Sequence, residues 1–425
     1  MFKGLISLAC KSRGGWVVYM CLMALCALGP VWGMAQSMPK DMTVAPASSL
    51  VKDTAGQRDL IGIFLDVTKL KIKHPRAETG RRIYFTALPL STSVPGGGNA
   101  LITSTTAGFY LGDRKETYLS TATFSPSFNF RGQFNFPIRA NIWSPSNKWN
   151  YQLDTRFSIY PQFAWGLGGK QSEDHKILVR YSYYRLYGTV LKRITPYLLA
   201  GVGYNMDYNI HVRPDIDSIS IKDFIKYPYG TENHTNSFSQ GFTLNLLLDT
   251  RYNAFNPLPG VYFNAVFRMN PKFLGSNTNW NSLYLDFRKY IAFSEKGQNM
   301  LGIWSYFWTT LGTNAPYFNL PAIGTEPYQR SGRGFNPMRY VGKSLFYLES
   351  EYRRDITKDG LFGFVVFGNM NTVSEPGSHQ YAYMHPAGGA GLRIKFNKHS
   401  GSNIGIDYGM SKGYHAVYFS LGETF

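Results

Sequence analysis

Past residue 26 the chain has no cysteine: Cys10, Cys21 and Cys26 all lie near its start. Whatever folds beyond them has no disulfide and no thiolate metal site. Beyond Leu28 no run is long and apolar enough for a transmembrane helix, which excludes a helical membrane bundle. Charged residues are only 16% of the chain. Histidines are dispersed, from His74 and His175 through His379 and His385 to His415, with no His-x-x-x-His spacing. Gly96, Gly97 and Gly98 are followed by no Gly-Lys-Ser/Thr, so they make no phosphate loop. Asp249 and Arg251 have the residue types of a catalytic pair, but a salt bridge across a turn explains them as well. We expect no enzyme, no catalytic residue, no cofactor and no metal.

What is present is aromatic. Tyr and Phe number 30 each, and aromatics make up 16%. The net charge is +18, which in a cytosolic protein would suggest nucleic acid. Lys and Arg are scattered here rather than striped along a helix. Anionic lipid headgroups or a polar lumen suit them better, and no nucleic-acid partner is expected.

The start reads as an export signal. Lys3, Lys11 and Arg13 make a basic n-region, residues 16–28 an apolar h-region, and Gly33-Met34-Ala35 a small-residue cleavage site. Residues 1–35 are therefore expected to be a cleaved signal peptide, with an uncleaved anchor helix as the alternative. Residues 36–80 read as a periplasmic linker or short amphipathic segment. Within them, residues 59–76 fit a short helix, a plug or a plain tether.

From residue 81 to 425 the pattern has period two. Alternating runs fall at 82–88, 101–110, 118–128, 132–143, 150–159, 177–187, 195–204 and 238–248, then at 262–269, 282–291, 301–311, 344–353, 361–370, 389–396, 403–408 and 414–425. That is about 16 strands, an even number, as single-chain bacterial barrels have. Connections at 112–115, 144–148 and 188–191 are short, whereas 207–236 and 312–341 are long. Short periplasmic turns with longer outer loops define an outer-membrane barrel. The predicted fold is an all-β transmembrane antiparallel barrel with a long outer loop folded into the lumen. A β-sandwich is the soluble alternative; it leaves Tyr347, Phe419 and Phe425 unexplained on alternating, otherwise exposed faces. If the first strand rises from the periplasm, 312–341 is the sixth outer loop.

That loop carries Ser331-Gly332-Arg333-Gly334-Phe335. Between two glycines no neighbouring Cβ blocks the guanidinium from approaching a backbone or a carboxylate. The last strand has its own signal: Val417, Phe419, Leu421 and Phe425 share one parity, interrupted by Glu423, while Ala416, Tyr418, Ser420, Gly422 and Thr424 share the other. The first set is expected to face lipid, with Gly422 loosening the pairing near the end.

Three motifs carry a family resemblance. Arg333-Gly334-Phe335 resembles the Arg-Gly-Phe/Tyr loop of the bacterial surface antigen superfamily, the BamA/TamA-type outer-membrane barrels. Asp249-Thr250-Arg251-Tyr252-Asn253, followed by Pro257 and Gly260, is similar to that family's periplasmic turn. The ending Phe419-Ser420-Leu421-Gly422-Glu423-Thr424-Phe425 is similar to its C-terminal assembly signal. The resemblance implies a bacterial outer-membrane location and a role in inserting or translocating outer-membrane or surface proteins, perhaps with barrel-assembly or surface-protein subunits as partners. It also implies that Arg333 is held in the lumen by acidic and aromatic residues of the following strands. Two departures stand out. Asn369 occupies the place of the family's usual acid, so Glu351, and after it Glu349, is expected to take the arginine. Residues 36–80 leave no room for POTRA repeats, so a POTRA-less member is expected. A passive solute channel and a structural surface antigen are the other readings.

Overall fold

The computed structural model describes residues 56–69, 84–94, 98–113, 116–129, 132–251, 259–293, 299–312, 314–398 and 401–425, with side chains in the strands from 105 onward. Eighteen strand segments form one antiparallel sheet. They are β1 (Tyr84–Val94), β2 (Gly98–Phe109), β3 (Ser120–Phe124), β4 (Ser127–Phe128), β5 (Phe134–Trp143), β6 (Trp149–Ile159), β7 (Gln162–Ala164), β8 (Ile177–Arg193) and β9 (Leu198–Pro214). There follow β10 (Thr235–Asp249), β11 (Gly260–Asn270), β12 (Trp280–Ala292), β13 (Asn299–Leu311), β14 (Ser344–Asp355), β15 (Phe362–Val373), β16 (His385–Asn397), β17 (Ser402–Ser411) and β18 (Tyr414–Leu421). β3 and β4 both pair with β2 and β5 and make one broken stave. β6 and β7 likewise both pair with β8. The barrel therefore has sixteen staves, in simple up-and-down order. The breaks fall at Pro126 and Pro161, where a ladder N–H is missing.

Side-chain parity separates lipid from lumen. Val202, Leu244, Val366, Val417 and Phe419 are exposed on the outer face, as strands in lipid require. The inner face is polar and charged: Asp207, Asp286, Glu349, Glu351 and Asp407 are all buried there. β8 and β9 are 17 residues each, longer than the roughly 9–11 needed to cross a bilayer, so they project beyond it on the outer side.

Two expectations are corrected. Residues 188–191 are not a turn but the interior of β8; the turn lies at 194–197, where the Ile194 N–H donates to the Leu198 carbonyl at 2.9 Å. Gly188 is a strand glycine facing open space. Phe425 does not face lipid but joins Tyr347 inside the barrel. Tyr347 is fully buried in the lumen, and Phe425 is 2% exposed. The parity of β18 ends at Leu421 because Gly422 takes φ +91, a left-handed turn that sends the last three residues inward.

Before the barrel, Leu60–Thr68 forms helix α1. Asp59 caps it, accepting from the Gly62 N–H at 2.7 Å, and also accepts from the Lys398 N–H at 2.7 Å. The Arg58 N–H donates to the Asp359 carbonyl at 3.1 Å. The helix thus sits beside Lys398 and the 356–361 turn, at the end of the barrel opposite the long loops. The segment 70–83 lies outside the described residues.

The long-loop end of the barrel carries an apolar cap. The loops 165–176, 215–234 and 312–343 pack into one apolar cap that includes Ile221, Tyr227, Ala315, Tyr317 and Val341. Tyr317 Oη donates to the Trp165 carbonyl at 2.7 Å, and Tyr227 Oη to the Ala315 carbonyl at 2.6 Å.

A barrel whose staves are laddered from β1 to β18 should resist detergent until heated. Unboiled and boiled samples are expected to migrate differently on a denaturing gel. Identical migration, with release from membranes by carbonate, would contradict the fold.

Candidate functional site

The loop 312–343 enters the lumen and turns at Gly332 and Gly334, with φ +77 and +95. Both positions exclude a side chain. A Cβ on Gly332 would lie 2.7 Å from Ile323, and one on Gly334 would lie 3.0 Å from the Met410 backbone. The loop backbone is then tied to the wall. The Gly332 N–H donates to Tyr347 Oη at 3.0 Å and the Gly334 N–H to Tyr418 Oη at 2.8 Å. Asn369 Nδ2 donates to the Arg333 carbonyl at 2.9 Å.

Arg333, 3% exposed, meets three carboxylates. Its Nη1 donates to Asp407 on β17 at 2.6 Å, its Nε to Glu349 at 3.1 Å, and its Nη2 to both Glu349 and Glu351 on β14. The guanidinium carbon stands 3.6 Å from the Phe367 ring centroid, a cation–π contact in a desolvated setting. Burial alone would pull the Arg333 pKa down. Glu349, Glu351 and Asp407 reverse this and hold it well above its ordinary value.

The network extends to the end of the chain. Arg353 Nε donates to Glu351 at 2.6 Å, and its Nη2 donates to the Phe425 carbonyl at 2.9 Å. Arg393 bridges Asp407 and Glu423, at 2.5 and 2.8 Å. Phe425 packs 5.3 Å from Trp304, which in turn meets Tyr347 at 5.3 Å. Glu423, which interrupts the outward parity of the last strand in the sequence, is a lumenal ion-pair partner.

Set against the sequence, Arg333, Gly334, Phe335, Glu349, Glu351 and Asn369 come together. Glu351 is not the main partner: Glu349 accepts from two of the arginine's nitrogens, and Glu351 is shared with Arg353. Asn369 serves the backbone rather than the guanidinium. Asp407 is the carboxylate missed. Its signal was legible: an acid on the lumen parity of β17, flanked by Gly405 and Gly409, whose missing side chains leave room. A Cβ on Gly409 would lie 2.9 Å from the Gly334 nitrogen.

The turn residues stand apart from this site. Arg251 pairs bidentately with Asp249, at 2.9 Å for both bonds, and lies 4.2 Å from the Tyr262 ring centroid. A Cβ on Gly260 would meet the Thr250 carbonyl at 2.9 Å. Asn253 and Pro257 lie outside the described residues. Phe419 and Leu421 remain on the outer parity of β18; Gly422 and Phe425 leave it.

No protein-family model and no curated protein matches the sequence. Solved structures do match. BamA from Haemophilus ducreyi lacking POTRA domains 1–3 aligns with a TM-score of 0.50 and 13% identity, over 80% of this chain and 68% of that one. CdiB from Acinetobacter baumannii aligns at 0.52 and 12%, over 80% and 59%. CdiB from Escherichia coli aligns at 0.56 and 10%, over 81% and 63%. The fold is that of a BamA-type barrel. The chain spans about three-fifths of either CdiB chain. In this BamA-type barrel the loop carrying Arg333 is the sixth outer one, counted from β1.

Removing one partner from a desolvated ion pair costs about 3–5 kcal/mol. Arg333→Ala leaves three carboxylates facing one another. It should lower the midpoint temperature of the gel-mobility shift more than Glu349→Gln or Asp407→Asn does. Double variants joining Arg333→Ala to either should be less than additive. Strictly additive effects would show that these groups do not act as one unit.

Proposed function

We propose that this chain is an outer-membrane barrel that assists the insertion or translocation of other exported proteins across or into that membrane. The observation that carries this reading is the seam. β18 lies beside β1, yet among the described residues no ladder of paired residues joins them, whereas every neighbouring pair of staves from β1 to β18 is laddered. An unpaired strand edge templates another strand. The similarity to BamA and CdiB supports the same reading at the level of the fold.

In this reading the Arg333 network positions the edge. It ties β14 to β17 and holds Glu423 and Phe425 in the lumen, so that β18 stops at Leu421 and its last carbonyls stay unpaired with β1. The Asp249–Arg251 turn fixes the β10–β11 hairpin at the periplasmic rim. Phe419, Leu421, Gly422 and Phe425 serve as the assembly signal before the terminus is tucked in. Residues 1–35 are a signal peptide, and the outer face meets the lipids. The apolar cap at 165–176, 215–234 and 312–343 argues against a permanently open solute pore.

The test is crosslinking from Val417→Cys on β18 in the native membrane. Adducts with other exported β-rich proteins, growing with their synthesis, are expected. Adducts confined to a cysteine placed on β1, together with steady conductance in planar bilayers, would replace this reading with that of a closed channel.

A further inference from the structure

The lumen wall opposite the Arg333 network carries more positive charge than its carboxylates balance. Asp154 Oδ2 on β6 is approached by three guanidinium groups, from β5, β6 itself and β8. Arg139 Nε lies at 3.5 Å, Arg156 Nη2 at 3.2 Å and Arg185 Nη1 at 3.5 Å. Arg185 also lies 3.7 Å from Asp207, but that carboxylate is already taken by Arg268 at 2.6 Å and by two tyrosine hydroxyls. Around Asp154, then, three cations share one anion.

The loop tip adds a fourth. Arg139 and Arg156 each donate to the Pro327 carbonyl, at 3.1 and 3.0 Å, which fixes the tip but supplies no charge. The Arg139 guanidinium lies 5.5 Å from the Tyr328 ring centroid. Two residues on, Arg330 is exposed and donates to the Glu423 carbonyl at 3.3 Å. The loop's own carboxylate, Glu326, is turned away from that guanidinium: it accepts from the Arg330 and Ser331 N–H groups and from Ser331 Oγ.

Arg156 is 5% exposed and its Nε makes no hydrogen bond; Arg139 Nε, an ion-pair distance from Asp154, makes none either. Cations so buried are normally paired or fully hydrogen-bonded. Counting only the three arginines that touch Asp154, and leaving Arg330 aside, the balance is short by two negative charges, that of a phosphate dianion. Guanidinium forks match the oxygens of a tetrahedral oxyanion and bind it through paired hydrogen bonds. A low-dielectric lumen lined by one sign of charge also concentrates the opposite ion. Arg139 keeps 29% of its side-chain surface and Tyr328 is 39% exposed, so the group is reachable from the lumen.

We propose that Arg139, Arg156, Arg185 and Arg330 form a lumenal binding site for a phosphate-class oxyanion, either free or as a phosphate monoester. The proposal goes beyond the protein-assisting role and needs only the barrel and its inserted loop.

The experiment uses the purified full chain in a phosphate-free, uncharged detergent. Inorganic phosphate, glycerol phosphate and chloride are titrated calorimetrically at matched ionic strength. Saturable one-site binding of at least one phosphate species, absent for chloride, is expected. Tighter binding of glycerol phosphate would mark a headgroup or other ester as the source, and tighter binding of inorganic phosphate the free ion. Arg330→Gln, which gives up only the side-chain bond to the Glu423 carbonyl, and Arg139→Gln should each weaken binding at least tenfold and should keep the gel-mobility shift of a folded barrel. Heat signals that are equal for phosphate and chloride, or binding unchanged in folded Arg139→Gln and Arg330→Gln proteins, would overturn the site.

Discussion

A single buried guanidinium sets the interior of this barrel. Arg333 has lost its water and stands against Glu349, Glu351, Asp407 and the Phe367 ring. None of these groups is stable in that place alone. Three carboxylates within reach of one another repel strongly in low dielectric, and a desolvated arginine without them is worse. The cluster exists only when the loop is inserted, so the loop and the strand faces β14 and β17 require each other. Arg353 and Arg393 carry the dependence further, to Glu423 and the Phe425 carbonyl. The inserted loop and the inward end of the chain thus belong to one charge network. This makes the position of β18 a consequence of loop insertion.

The same barrel shows why charge of one sign is abundant in a chain with few charged residues. Lipid excludes charge from one parity of every strand. The lumen then collects the arginines, some as partners of acids and some, near Asp154, in excess. Apolar packing is displaced to the outer end, where three loops form the cap, and to the aromatic column running from Tyr306 through Tyr347 and Trp304 to Phe425.

The staves were legible in the sequence because lipid and lumen impose period two along most of each strand, and each of the sixteen alternating runs overlaps a stave; the connection read at 207–236 is shorter, since β9 runs on to Pro214 and β10 starts at Thr235. Errors arose where parity stops being informative. Gly188 looked like a turn because a strand glycine and a turn glycine read alike; only the cross-strand ladder with β6 and β9 tells them apart. Phe425 was assigned to lipid because the parity of Val417 and Phe419 was carried through Gly422, whose left-handed backbone ends it. For Arg333, local sequence pointed to the glutamates of the next strand. Asp407 lies 74 positions away; its residue type and flanking glycines show in the sequence, but its pairing with Arg333 depends on strands that the curved sheet brings together. The excess of arginine around Asp154 was equally invisible, since it depends on three staves meeting at one level.

The most direct test of the account asks whether the loop tip is inside the barrel in living membranes. With Cys10, Cys21 and Cys26 each replaced by serine, Gln329→Cys and Ser378→Cys each provide one thiol, the first at the lumenal loop tip and the second on the exposed 374–384 outer loop. A bulky membrane-impermeant maleimide is added to intact cells and the labelling rates are compared. The account predicts rapid labelling at 378, protection at 329, and loss of that protection when Arg333→Ala is added. Equal, rapid labelling of both positions in the otherwise native chain would contradict it.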